Sequence, residues 1–166
     1  MSGTYTVVRT LGRADVAHDI LEELPEWFGI DRFTHEYVEA AAKFPNYVAV
    51  GPESGIGPDG GAVAFEDVLG VLLLDQRYPT SAEVHLLAVR RKHHRAGIGR
   101  TLLERVENDL RAQGVRLLSV KTLGPSAYDP GFDQTRAFYT ACGFHPVEEF
   151  PDLWADSPCL LMVKVL

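Results

Sequence analysis

From Glu83 to Leu123 the chain reads as an apolar strand (Glu83–Val89), a turn with two glycines, an amphipathic helix (about Gly97–Gln113) and a second strand (Val115–Leu123). A strand, a helix and a strand in close succession bury the helix's apolar face by laying the two strands parallel. The helix then crosses over in the right-handed sense. The helical stripe is Ile98, Leu102, Leu103, Val106 and Leu110, with Glu107 and Arg111 as an i,i+4 pair on the other side. Gly114 ends the helix in the manner of a C′ glycine.

The flanking pattern places this unit in a mixed sheet. Tyr5–Arg9 alternates as a short strand, Ala14 to about Leu24 is helical, and Pro25 stops it. Thr34–Phe44 reads as a second helix, with Thr34 as its N-cap. Strands follow at Asn46–Val50 and within Ala62–Leu74, separated by the Gly- and Pro-rich loop Gly51–Gly61. Beyond Leu123 come the loop Gly124–Gly131, a short helix over about Asp133–Ala141, and strands near Val147–Phe150 and Leu160–Val165. The order is β-α-α-β-β-β-α-β-α-β-β. Adjacent strands imply antiparallel pairing, so the fold class is α/β with a mixed central sheet flanked by helices. At 166 residues a single domain, 1–166, is expected.

Charge is distributed unevenly. The net charge is −7, which disfavours nucleic acid as a partner. Residues 1–82 hold 5 Lys+Arg against 13 Asp+Glu. In the second half Arg90, Arg91, Lys92, Arg95 and Arg100 fall together, with no acid between Glu83 and Glu104. An acidic half and a local basic knot suit a cationic partner and an anionic ligand. No apolar run is long enough for a membrane span, and no secretory leader is read at the N-terminus, so the cytoplasm is the expected location. Cys142 and Cys159 make no disulfide framework and read as core residues. The histidines show no ligand spacing, and no metal is expected.

The turn before the helix carries the most chemistry. A helix start leaves about four N–H groups without partners, and a Ser, Thr, Asp or Asn usually caps them. None stands at the N-cap position in "HHRAGIGRTLL", whose one threonine, Thr101, falls inside the helix. A dinucleotide fingerprint would need a glycine at Leu102, and a Walker loop would need a lysine at Arg100. A plain anion site remains. Gly97 and Gly99 let a ligand approach the backbone, the N–H groups of Arg95–Arg100 can point at it, and Arg95 and Arg100 flank it. The ligand class is phosphate-containing.

"AEVHLLAV", "HHRAGIGRTLL", "VRLLSVKTL" and "RAFYTACGF", in this order and spacing, resemble the GCN5-related N-acetyltransferase (GNAT) superfamily, whose signature is Q/R-x-x-G-x-G/A. The resemblance covers nearly the whole chain. It implies acetyl-CoA as cosubstrate, released as CoA, with its pyrophosphate on His94, Arg95, Ala96, Gly97, Ile98, Gly99, Arg100 and Thr101. It also implies a strand bulge that offers backbone groups of Leu87, Ala88 and Val89 to the pantetheine amides. His94 stands where the family has Gln or Arg, and Phe132 where it often has Asn.

Acetyl transfer to an amine needs a base for the ammonium proton and an acid for the departing thiolate. Glu83 and His85 lie at i and i+2, on one face of an otherwise apolar strand. The resemblance gives Glu83 the role of general base; His85 competes for it. Tyr139 matches the family's general acid. Trp27 and Phe28, in "LPEWFGI", and Tyr128 and Asp129, after the strand 115–123, are candidate walls for a small-molecule or peptide amine. Exposed edge strands such as 160–165 offer a route to a homodimer. The rival reading is a non-catalytic CoA-binding or regulatory module on the same fold, which would need neither Glu83 nor Tyr139.

Overall fold

The computed structural model describes residues 4–57 and 60–166; Pro58 and Asp59 of the glycine-rich loop lie outside them. The strands form a seven-stranded sheet in the order β1-β2-β3-β4-β5-β7-β6. They are β1 (Thr6–Thr10), β2 (Asn46–Val50), β3 (Val68–Tyr78), β4 (Ser81–Val89), β5 (Leu117–Leu123), β6 (His145–Trp154) and β7 (Ser157–Val165). The helices are α1 (Ala14–Glu22), α2 (Pro25–Phe28), α3 (Asp31–Lys43), α4 (Ile98–Ala112) and α5 (Pro130–Ala141). β4 and β5 run parallel, as the strand–helix–strand unit requires. The other registered neighbours are antiparallel, which makes the sheet mixed.

The chain packs as two compact units, Met1–Asp75 with Leu86–Asp109, and Gln76–His85 with Leu110–Leu166. In the first, Val16, Ala17, Ile20 and Leu21 of α1 and Ala40 and Ala41 of α3 pack on Val48, Val71, Leu73, Leu86 and Ala88 of the strands. These helical residues recur every three or four positions, and the strand residues are those whose side chains reach that face. Ile98 and Leu102 approach Gly70 so closely that a Cβ there would sit 3.1 and 3.3 Å from them. Glycine at position 70 therefore sets how tightly the start of α4 sits on β3. Tyr47 donates from its hydroxyl to Asp109 at 3.1 Å. Burial, ahead of the neighbouring carboxylate, pushes the Tyr47 hydroxyl up to about 12.

In the second unit the core is built from Leu110, Val115, Leu118, Val120, Phe144, Cys159 and Met162. Cys142 and Cys159 are both buried and form no disulfide. Burial pushes the Cys159 thiol up to about 11, so it carries little thiolate at neutral pH.

Five sequence expectations are corrected. α3 begins at Asp31, three residues before Thr34, and its preceding residue Ile30 makes no side-chain cap. Thr34 Oγ1 instead donates to Phe28 O at 2.9 Å, tying the helix to α2. α5 begins at Pro130, because Asp129 caps it through Gly131 N and Phe132 N and proline suits the first helical position. Glu107 is not on the solvent side of α4 but buried, at 5% exposure. β6 is longer than expected despite Pro146 and Pro151, since an edge strand tolerates a residue with no N–H to give. The strand at 160–165 is not an edge: β7 lies between β5 and β6, and the edges are β1 and β6.

Candidate active site

In the first unit, β4 ends at Val89, residues Arg91–His93 form a short 3₁₀ turn, and α4 begins at Ile98. Between them Arg95 and Gly97 adopt left-handed backbone conformations, with φ of 61° and 84°. Gly97 tolerates this freely; an arginine there is uncommon and marks a constrained turn. A Cβ on Gly97 would meet nothing within 4 Å, so the turn is open on that side. Thr101 is the first residue of the helix whose N–H finds a protein acceptor in the turn, at Gly97 O and 3.0 Å, and its Oγ1 donates to the same oxygen. Among the described residues, no side-chain oxygen caps the amides of Ile98, Gly99 and Arg100. Amides of this kind at a helix start, with the helix dipole behind them, donate to an anion such as a diphosphate.

The basic knot divides into two parts. Arg90 is nearly buried and donates to Asp19 at 2.6 Å, Glu23 at 2.5 Å and Val68 O at 2.7 Å. Arg91 donates to Glu26 at 2.5 Å and to Glu23 O at 2.7 Å. The Arg91 hydrogen bond holds the Glu26 carboxyl below its usual range. These two arginines fasten α1 and α2 to the end of β4 and are spent on structure. Lys92, Arg95 and Arg100 pair with no carboxylate among the described residues, and they leave positive charge around the turn. The same pairing removes three carboxylates, those of Asp19, Glu23 and Glu26, from the acidic half that sequence alone offers to a cationic partner.

His94, exposed at the start of the turn, places Nε2 2.7 Å from Val89 O. A carbonyl can only accept, so Nε2 carries the proton. Trp27 meets the same imidazole edge-on, with centroids 5.9 Å apart. Val89's carbonyl is thus engaged by His94, while Ala88 is buried in the core of α1 and α3 and Leu87 is half-buried. Trp27 and Phe28 both pack partly buried against that core, Phe28 edge-on to Tyr37 at 5.8 Å.

In the second unit, β4 and β5 are registered from Ser81↔Leu117 to Val84↔Val120, while β5 continues beside β7 to Leu123↔Cys159. Glu83 lies opposite Ser119, so Glu83, His85, Ser119 and Lys121 share one face. Lys121 donates to Glu83 Oε2, an ion pair in which both side chains are half-buried. The register Leu118↔Lys164 puts Lys164 on the opposite face, where its Nζ donates to Cys142 O at the end of α5. The end of α5 is therefore on the face that Glu83 does not use. Tyr139, on α5, is 5% exposed and is held edge-on between Phe138 and Phe144, with centroids 5.2 and 5.4 Å away. Tyr128 is 91% exposed; Asp129 is engaged as the cap of α5. Glu149 Oε1 accepts from Ser126 N and Oγ and steadies the loop between them.

Sequence reasoning missed Lys121. The signal was present: a single charge inside the apolar strand Leu117–Leu123, the same anomaly that singles out Glu83 in β4.

The profile of the "Acetyltransferase (GNAT) family" matches residues 17–144. The chain belongs to the GNAT family of acetyltransferases. It is an acyltransferase by that membership, and the resemblance read from the four sequence segments is borne out. No curated protein matches it by sequence. Among solved structures it is similar to a GNAT family acetyltransferase from Elizabethkingia anophelis with acetyl-CoA bound, at 15% identity, TM-score 0.68 and 98% coverage of each chain. It is also similar to the ribosomal-protein-S18-alanine N-acetyltransferase of Escherichia coli, at 15% identity and TM-score 0.68, covering 98% of this chain and 94% of that one. An aminoglycoside 6'-N-acetyltransferase complexed with coenzyme A aligns at 19% identity and TM-score 0.66, covering 96% of each. At these identities the likeness is one of GNAT fold. Among the described residues no helix is long and apolar enough to cross a membrane.

Proposed function

We propose that this GNAT protein is an acetyl-CoA-dependent N-acetyltransferase that moves an acetyl group directly to a primary amine on a small molecule or peptide. The observation that carries the reading is the left-handed turn at Arg95–Gly97 followed by α4 amides that no side-chain oxygen caps among the described residues. Acetyl-CoA is the cosubstrate, its diphosphate resting on those amides with Arg95 and Arg100 beside them.

Glu83 takes a proton from the acceptor ammonium, whose ordinary pKa is about 10.4, so that the neutral amine can attack. His85 lies two residues on, past the last registered pair of β4 and β5. As the C–N bond forms and the C–S bond breaks, the Tyr139 phenol gives its proton to the leaving thiolate. A phenol keeps that proton at neutral pH and is shielded here by two aromatic rings. A covalent acetyl-cysteine is not required. Cys159 is buried with its thiol held protonated, and Cys142 is buried at the end of α5.

The test is release of free CoA thiol from acetyl-CoA across a panel of amines, including aminoglycosides, polyamines and peptides with free α- or ε-amines. At least one acceptor should raise the rate about a hundredfold or more over hydrolysis. A rate insensitive to every amine, with tight CoA binding, would favour a binding module.

A further inference from the structure

The Glu83–Lys121 pair joins the proposed base to a cation on the next strand. Lys121 sits two residues beyond Ser119, the register partner of Glu83, so its side chain crosses diagonally to Glu83 on the same face. A charged pair inside a sheet is not the cheapest way to fill that space; two apolar side chains of similar size stabilise as much or more. In the β5–β7 register Lys121 lies opposite Leu161 and Leu123 opposite Cys159, so these residues share the face of the pair. The lysine takes one carboxylate oxygen, Oε2, and among the described residues none donates to Oε1.

We propose that Lys121 is a positioning residue for acetyl transfer: it fixes the Glu83 carboxylate through Oε2 so that Oε1 is presented to the acceptor ammonium. This rests on Glu83 being the base. The proton leaves the ammonium for Oε1, the nitrogen lone pair attacks the thioester carbon, the C–S bond breaks, and the departing thiolate takes its proton from Tyr139. Lys121 neither gives nor takes a proton. Glutamate has three rotatable bonds, and an untethered carboxylate spends much of its time out of reach of the acceptor.

The experiment is a double-mutant cycle on the full chain with an acceptor found in the amine panel. Lys121→Met should lower kcat about tenfold, leave the KM for acetyl-CoA within about twofold, and preserve CoA binding by calorimetry. Lys121→Arg, which keeps a donor to Oε2, should recover kcat to within about threefold. In a Glu83→Gln background, itself strongly impaired, Lys121→Met should cost nothing further. The inference is overturned if Lys121→Met leaves kcat unchanged, or if it lowers kcat by the same factor in both backgrounds, as a general packing role would. Full activity in Glu83→Gln alone would overturn the assignment of the base, and the inference with it; loss in Glu83→Gln with no effect of Lys121→Met overturns the inference only.

Discussion

Gly99→Asp is expected to abolish acetyl-CoA binding without unfolding the chain. Position 99 is the second residue of α4 and lies beside the amides assigned to the diphosphate. A carboxylate there sits where the ligand's negative charge must go. It can also accept from the amides itself, so the new side chain competes for the donors as well as repelling the ligand. Each charge-assisted hydrogen bond that is lost is worth about 1.5–3 kcal/mol. Loss of two lifts Kd by more than about a hundredfold. Aspartate is favoured in the first turn of a helix and stabilises it by about 0.3–1 kcal/mol, so the fold is expected to survive the substitution. Calorimetry with CoA, paired with thermal unfolding, checks both halves. Unchanged affinity would contradict the role of the turn, and a lowered melting temperature would leave the lost affinity attributable to unfolding. Gly99→Ala, which adds only a methyl group, should weaken binding far less.

The second large effect is on turnover. Tyr139→Phe should lower kcat about a hundredfold while CoA affinity stays within about twofold, since a general acid contributes about 10²–10⁴ and only in the transition state. The phenylalanine ring keeps the contacts with Phe138 and Phe144, so the packing of α5 survives. Rates measured with an acceptor amine at saturating acetyl-CoA decide it. An equal loss in kcat and in CoA affinity would mean that the tyrosine shapes the site without acting as the acid.

Much of this was legible in the residues because it follows from periodicity. The parallel β4–β5 pair and the crossover helix were set by the apolar stripe from Ile98 to Leu110, and the strand Asn46–Val50 was located to the residue. The start of α5 is also written in "YDPGF", an acceptor side chain followed by proline, although glycine and proline together equally suggest a turn. The turn at Arg95–Gly97 announced itself by an absence, the missing cap. What could not be read were pairings between distant segments. Nothing local says that Arg90 and Arg91 are consumed by Asp19, Glu23 and Glu26, or that Lys121 reaches Glu83. Those depend on register and on how far a long side chain extends. The placement of β6 at the sheet edge, with β7 inside it, is likewise a matter of topology, and the prolines of β6 become intelligible only once that is known.

The account turns on whether the amides ahead of Thr101 hold the diphosphate of acetyl-CoA. Titrating ¹⁵N-labelled protein with CoA, with dephosphorylated pantetheine as the comparison, tests this most directly. The account predicts that the amide signals of Gly97, Ile98, Gly99 and Arg100 move furthest with CoA and stay nearly still with pantetheine. Signals of these four residues that do not respond to CoA, while CoA binds and shifts another part of the chain, would contradict it.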